Sequence, residues 1–367
     1  MPGMVAHIVG ARPNFIKAAP VIRALEERAV KQVVIHTGQH YDAAMSDVFF
    51  RQLGLPEPDH NLGVGSGSHA QQTAALLVGL ERSFLDLAPE LVVVYGDVNS
   101  TLAAALCAAK LGIPIAHVEA GLRSFDVSMP EELNRRLTDV LCELLFATSP
   151  EALAHLANEG VDPARMHFVG NPMIDTLLAN LDRFQPEVAL AQLGLGLTGE
   201  YAVATLHRPA NVDSDERAEA LVGALRAVSG LLPLILPLHP RGRATLQRAG
   251  LDSSASLHVI SPVGYVEFLS LLRGARLVVT DSGGIQEEAT VLGVPCLTLR
   301  PNTERPITIT HGTNRLVEAA TLASAVEAVL GRPSATEHDV PPLWDGRAGA
   351  RIAGIVERWL TGAGTGP

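Results

Sequence analysis

The chain lacks most of the features that mark special classes of protein. Its three cysteines, Cys107, Cys142 and Cys296, are scattered and form no Cys-x-x-Cys pair, so neither a disulfide framework nor a zinc ribbon is written into it. The 13 histidines contain no His-Glu-x-x-His pattern, and neither a metal site nor a cofactor is expected. No apolar run is long enough to span a bilayer, and Met1 to Gly10 has neither the charged start nor the long apolar stretch of a secretory leader. A cytoplasmic protein with no membrane partner is the expectation. Basic charge is also short. With 28 Lys and Arg against 39 Asp and Glu, the net charge of −11 argues against nucleic acid as a partner, which needs a basic face. Any anionic ligand must be met by local positive groups.

What the chain has is apolar material: 47% of 367 residues, more than one core usually organises, so two domains are expected. Short β-branched runs recur at Ala6 to Gly10, Val33 to His36, Leu91 to Tyr95, Ile115 to Val118 and Leu144 to Ala147, with helical stretches such as Ala70 to Leu87 and Thr101 to Leu111 between them. Near-continuous apolar strands alternating with helices describe a parallel sheet covered on both faces, joined by right-handed crossovers. A glycine-rich punctuation, Gly194 to Gly199, follows the first series. A second series then runs through Tyr201 to Thr205, Leu234 to Leu236, Leu257 to Ile260, Leu277 to Thr280 and Cys296 to Leu299. The fold class is therefore α/β, with two Rossmann-like domains facing a central cleft. The first is expected over residues 1–175 and the second over 176–367, with the last helix packing back on the first.

The stretch around which the second domain is organised is Thr280-Asp281-Ser282-Gly283-Gly284-Ile285-Gln286-Glu287-Glu288. It reads as strand, glycine turn and helix start, where free N–H groups and the positive helix end suit a phosphate. Glu287 and Glu288, expected in the first helical turn, are suited to accept hydrogen bonds from ribose hydroxyls. The plain alternative is an ordinary turn capped by Ser282.

In the first domain, Gly10-Ala11-Arg12-Pro13 ends the first strand with Arg12 at its tip and Lys17 one turn on, where open α/β sheets bind ligands. Solvated surface cations are the alternative. Asp97 follows Val94-Tyr95-Gly96, Glu119 follows His117-Val118, and Glu131-Glu132 come after Met129-Pro130. In a parallel sheet these acids and the Arg12/Lys17 turn converge on one edge, which favours a site over isolated helix-start acids. Arg135 stands one turn from both glutamates. In the second domain, Leu206-His207-Arg208-Pro209 occupies the place that Asp97 has in the first. His207 is suited to acid, base or phosphate-donor work, with a helix-cap environment as the alternative. Asp213-Ser214-Asp215 resembles a metal-binding Asp-x-Asp, but its position before a helix makes capping the better account. Gly63 to Gly67 has no strand before it and fails the context of a dinucleotide loop.

Six motifs in order then carry a resemblance: Gly10-Ala11-Arg12-Pro13, His117-Val118-Glu119-Ala120-Gly121-Leu122-Arg123-Ser124, Met129-Pro130-Glu131-Glu132-Leu133-Asn134-Arg135, Thr205-Leu206-His207-Arg208-Pro209, Asp281 to Glu288, and Thr303-Glu304-Arg305-Pro306. Together they resemble the non-hydrolysing UDP-N-acetylglucosamine 2-epimerase family over nearly the whole chain. The resemblance implies a glycosyltransferase-B type fold, a homodimer, and a UDP-sugar substrate whose C2 is inverted through UDP elimination and re-addition. It implies Asp97, Glu119, Glu131 and His207 as catalytic residues. It places Arg12, Lys17, Arg135, Phe268, Ser282, Gly283, Gly284, Glu288 and Arg305 at substrate- or UDP-binding positions. Some members also bind a second UDP-sugar as an activator, for which Gln39, Gln71, Arg208 and His239 are the residues to inspect. Two departures stand out: Asn14 replaces the acid usual after Arg-Pro, and Val263 stands where a glutamine often lies near the uracil.

A hydrolysing epimerase that releases ManNAc and UDP is one alternative. A glycosyltransferase of the same fold is another, and a silent nucleotide-sugar sensor is a third.

Overall fold

The computed structural model describes residues 3–38, 52, 54–206, 215–238, 240–333 and 338–362. The chain forms two compact units, Met1–Ala179 with Pro342–Pro367, and Asn180–Pro341. The second unit is thus an insertion in the first, and the C-terminal residues belong to the first unit.

In the first unit, the described strands are β1 (Val5–Val9), β2 (Gln32–His36), β3 (His60–Asn61), β4 (Leu91–Tyr95), β5 (Ile115–Ala120), β6 (Leu144–Ala147) and β7 (Met166–Phe168). They form a parallel sheet in the order β3-β2-β1-β4-β5-β6-β7. The central strands are buried along their whole length because their Val, Ile and Leu side chains meet helices on both faces. The strand order reverses between β1 and β4, and such a switch point opens a crevice at the strands' C-terminal ends.

Helix α1 (Arg12–Glu26) follows β1, and its Pro20 has no N–H to give to the Ile16 carbonyl one turn back. The Thr176 hydroxyl replaces that donor at 2.6 Å. Thr176 lies on the helix Pro172–Ala179, whose Asp175 accepts the N–H groups of Ala348 at 3.1 Å and Gly349 at 2.7 Å. Those are the first residues of the last described helix, Ala348–Leu360, which packs against α1. The packing is close: a Cβ on Gly349 would lie 2.6 Å from the Pro20 carbonyl oxygen. Burial pushes the Asp175 carboxyl up to about 6 despite the two N–H groups that favour its charged form.

The second unit repeats the plan. Its described strands, β8 (Ala202–Thr205), β9 (Leu234–Pro237), β10 (Leu257–Ile260), β11 (Leu277–Thr280), β12 (Cys296–Leu299) and β13 (Asn314–Val317), pair in parallel in the order β10-β9-β8-β11-β12-β13. The switch point lies between β8 and β11. The core beneath is built from Leu, Val and Ala of both strands and helices.

Strands β3, β7 and β13 have no counterpart in the sequence reading. Each is short and none is fully buried, so each lacks the apolar run that identifies the inner strands.

Candidate functional site

At the switch point of the first unit, Arg12 opens α1 and Lys17 follows, buried. The turn before α1 is held by Asn14, whose Oδ1 accepts the N–H groups of Gly10 at 3.1 Å and Ala11 at 3.0 Å. Its amide nitrogen donates to the Tyr95 carbonyl at 2.8 Å. The departure noted at this position therefore ties the ends of β1 and β4 together. An aspartate would keep the first two bonds and lose the third, because an ionised carboxylate has no proton to donate.

Glu119 sits inside β5 rather than beyond it. The pairing of β5 with β6 slips between Val118 and Ala120, so Glu119 is the extra residue of a bulge, with φ at +78°. A non-glycine residue held there costs about 1–3 kcal/mol and is kept only where the surroundings enforce it. Here the enforcing contact is a buried ion pair with Lys17. Both side chains crowd Gly96, at which a Cβ would stand 3.1 Å from Glu119 Oε2 and 3.1 Å from Lys17 Nζ. The next residue, Asp97, is ion-paired with Arg135. Lys17, Glu119, Asp97 and Arg135 thus gather around one glycine.

Arg135 comes from the helix Pro130–Leu141, and its other arm reaches Glu132 at 2.5 Å. Glu132 is buried and accepts the Ser124 N–H at 2.8 Å, the Ser124 hydroxyl at 2.9 Å and the Phe125 N–H at 3.1 Å. Of the two adjacent glutamates, Glu132 anchors the loop while Glu131 lies half-buried in the helix's first turn. Asn134 adds a bond from its amide to the Asp97 carbonyl at 2.9 Å. Sequence reasoning counted Glu132 among the converging acids and set Arg135 one turn from it, but did not foresee its hold on the loop at Ser124 and Phe125, and it assigned no role to Asn14 or Asn134. The signal for the Glu132–Arg135 pair is the i,i+3 helical spacing, whereas nothing local marks Asn134.

In the second unit, the helix Gly283–Leu292 follows β11 directly. Ser282 is its N-cap but makes no side-chain cap hydrogen bond, so the capped-turn alternative is not what the chain adopts. Arg305 lies against the glycine turn: a Cβ on Gly283 would collide with its Nη1 and stand 2.8 Å from Glu304 Oε1. The guanidinium is held by Glu304 and by Glu287, 3.0 Å from its Nε. A network behind the turn fixes this loop. Gln286 accepts from Thr303 Oγ1 at 2.6 Å and from Asn314 Nδ2 at 3.0 Å, and it donates to the Ser282 carbonyl at 3.2 Å.

Glu287 and Glu288 were expected in the first helical turn; because the helix starts at Gly283, they lie one turn deeper and are buried. Burial pushes the Glu288 carboxyl up to about 8; the Tyr265 side-chain hydrogen bond opposes this and Glu287 adds to it. Phe268 is half-buried on the helix Tyr265–Gly274. Of the residues singled out as activator contacts, Gln71 forms a capping box with Ser68, accepting its N–H at 3.1 Å. Gln39, His207, Arg208 and His239 lie outside the described residues. Among the described residues no group of three or more His, Cys, Asp or Glu is placed to hold a metal ion, and no helix is long and apolar enough to cross a membrane.

Two doubly wound parallel sheets, each with charged groups gathered at its strand ends, define a Rossmann-like α/β protein. The family model for UDP-N-acetylglucosamine 2-epimerase matches residues 23–357, and the chain belongs to that family. A relative from Pseudomonas aeruginosa, UDP-2,3-diacetamido-2,3-dideoxy-D-glucuronate 2-epimerase, is 44% identical over 356 residues, covering 95% of this chain and 98% of its own. The UDP-N-acetylglucosamine 2-epimerase of Methanocaldococcus jannaschii is 42% identical over 359 residues, covering 95% and 97%. A crystal structure of the M. jannaschii enzyme in complex with UDP-GlcNAc and UDP superposes with a TM-score of 0.89, covering 96% of this chain and 99% of that one. A glycosyltransferase structure at 16% identity and a TM-score of 0.53 shares the fold alone.

Proposed function

We propose that the protein interconverts UDP-N-acetylglucosamine and UDP-N-acetylmannosamine by inverting C2 of the sugar. The observation that carries this reading is the cluster of Asp97 and Glu119 with Lys17 and Arg135 around Gly96. The C2 hydrogen has no neighbouring carbonyl to acidify it. Loosening the C1–O bond to UDP builds oxocarbenium character at C1, which carboxylates stabilise and which makes the C2 proton removable. A carboxylate takes that proton, the C2–H electron pair forms the C1–C2 double bond, and UDP leaves with the C1–O pair. Re-addition runs these steps backwards with the proton delivered to the opposite face. Inversion therefore needs acid–base groups on both faces, and Asp97, Glu119, Glu131 and His207 are our candidates for them.

The leaving UDP carries negative charge, and the nucleotide-holding share falls to the second unit. Support comes from the uncapped Ser282-Gly283-Gly284 helix start with Arg305 against it. Glu288 is our candidate for the ribose hydroxyls, with Phe268 beside the base; Arg12 is our further candidate for a substrate contact. The P. aeruginosa relative favours a second substrate, a UDP-linked 2,3-diacetamido uronic acid, as the alternative. Incubating the protein with either nucleotide sugar and following both the manno epimer and free UDP tests the reading. Epimer without stoichiometric UDP supports it; steady UDP release with free sugar identifies a hydrolysing enzyme, and no change in either sugar rejects it.

The functional unit in this reading is a homodimer. Val78 and Leu85 on the helix His69–Leu87, with Leu133, Leu137 and Val140 on the helix Pro130–Leu141, are all exposed, and both helices flank the helix Asn99–Lys110. Apolar stripes of this extent on a protein surface mark an interaction face. A cytoplasmic setting, supported by the buried free thiols of Cys107, Cys142 and Cys296, completes the reading.

A further inference from the structure

Behind the strand-end acids runs a chain of polar side chains, buried up to its last member, to which the reaction above gives no part. His117 stands on β5 two residues before Glu119 and is fully buried. Its Nε2 lies 2.8 Å from the Gly96 carbonyl and its Nδ1 2.6 Å from Asp139 Oδ1. A carbonyl oxygen only accepts, so Nε2 carries a proton and donates it. Asp139 also accepts the Gly121 N–H at 3.1 Å and pairs with Arg123 at 2.8 Å. Arg123 closes the chain on Glu159 through bonds of 2.8 and 2.6 Å. Burial by itself would raise the Asp139 carboxyl, but His117 and Arg123 outweigh it and hold the group below its usual range.

Each arm of this chain grips the backbone beside one of the proposed catalytic acids. Gly96 precedes Asp97, and Gly121 is two residues beyond Glu119. Both glycines have positive φ, +65° and +81°, and both are closely packed: a Cβ on Gly121 would collide with the Ala152 carbonyl. They are the pivots on which β4 and β5 turn out of the sheet. Rotating the Gly96 peptide would swing Asp97 away from Arg135 and open the space that Glu119 and Lys17 share.

We propose that His117, held by Asp139, is a positioning residue for the epimerisation: its bond to the Gly96 carbonyl fixes the spacing of the Asp97 and Glu119 carboxylates. The inference rests on the reaction assigned above. Reacting groups displaced by about 1 Å typically lose about a hundredfold in rate. The effect belongs in kcat, because the nucleotide is held elsewhere.

Two replacements of similar size separate this role from a merely structural one. His117→Gln keeps an N–H able to reach the Gly96 carbonyl, whereas His117→Met fills the space and offers no donor. Turnover is measured per folded site, counted by the stoichiometry of UDP titration, with KM and UDP Kd alongside. The expected result for His117→Met is a kcat about 30- to 100-fold lower, with KM and Kd within about twofold of wild type. His117→Gln should recover at least about a third of that loss on a logarithmic scale. Equal kcat in wild type and His117→Met, equal losses in both variants, or failure of both to fold would each overturn the proposal. An active wild type with an unaffected His117→Met sinks this inference alone, while an inert wild type sinks the assigned reaction with it.

Discussion

Arg135 is ion-paired with Asp97 on one arm and with Glu132 on the other, so one buried guanidinium joins a proposed catalytic acid to the residue that anchors the 124–125 loop. Arginine suits this place because its planar fork serves two carboxylates at once, which a lysine ammonium does only as a point charge. Replacing Arg135 by Leu leaves Glu132 buried without its cation. We expect a loss of about 3 kcal/mol in urea unfolding, together with loss of turnover. A variant as stable as wild type would show that Glu132 is satisfied by Ser124 and Phe125 alone.

The acids themselves are tested by Asp97→Asn and Glu119→Gln. Each should abolish turnover while UDP affinity in calorimetry stays within about twofold, since removing a group that acts only in the transition state leaves ground-state binding intact. Wild-type rates in either variant would remove that residue from the reaction.

Gly96 has φ at +65°, and a side chain there would press on both Glu119 and Lys17. Gly96→Ala should cost about 1–2 kcal/mol in stability from the left-handed backbone. It should lower kcat further by pushing the ion pair aside. Retention of full kcat per folded site would mean that the Glu119 and Lys17 positions have slack.

At Gly283 the constraint is different, because the atom that an added methyl would meet first is the flexible end of the Arg305 side chain, and the backbone is helical. Gly283→Ala should therefore lower the melting temperature, because Arg305 can yield only by loosening its buried pairs with Glu304 and Glu287, and should weaken UDP binding by about tenfold as Arg305 is displaced. Unchanged affinity would detach Arg305 from the diphosphate.

Glu288 gives a pH dependence with a definite sign. Its folded pKa, about 8, lies above the usual 4.5, so the stability that the protonated form contributes is complete below 4.5 and is lost as pH rises through 8. The melting temperature of wild type should fall from about pH 4.5 to about pH 8 and level off above it, and that of Glu288→Gln should fall less. If the ionised carboxylate accepts the ribose hydroxyls, UDP affinity rises over the same interval with proton release, and the rise disappears in Glu288→Gln. A flat affinity profile in wild type would contradict the ribose role.

Much of the architecture was legible because both sheets are parallel and buried, so runs such as Leu91 to Tyr95 and Leu277 to Thr280 stand out as continuous apolar stretches. The meeting of Lys17 with the strand-end acids near Gly96 followed from the same logic, since residues after parallel strands share an edge. What the sequence hid was pairing. The bulge at Glu119 depends on the register of β5 against β6, which no local pattern encodes. The partnership of His117 with Asp139 spans 22 residues and is visible only once strand and helix are packed. Asn14 looked like a departure from a motif and proves to be a cross-strand tie, because its third bond goes to a carbonyl 81 residues away.

Proton NMR in deuterated water, with UDP-N-acetylglucosamine as the only organic substrate, reads the bond that the account says is broken. Deuterium should enter C2 at the rate at which the manno epimer appears, and the recovered starting sugar should gain it as well. A manno product that keeps its original C2 hydrogen would contradict proton removal at C2, and with it the role given to the acids around Gly96.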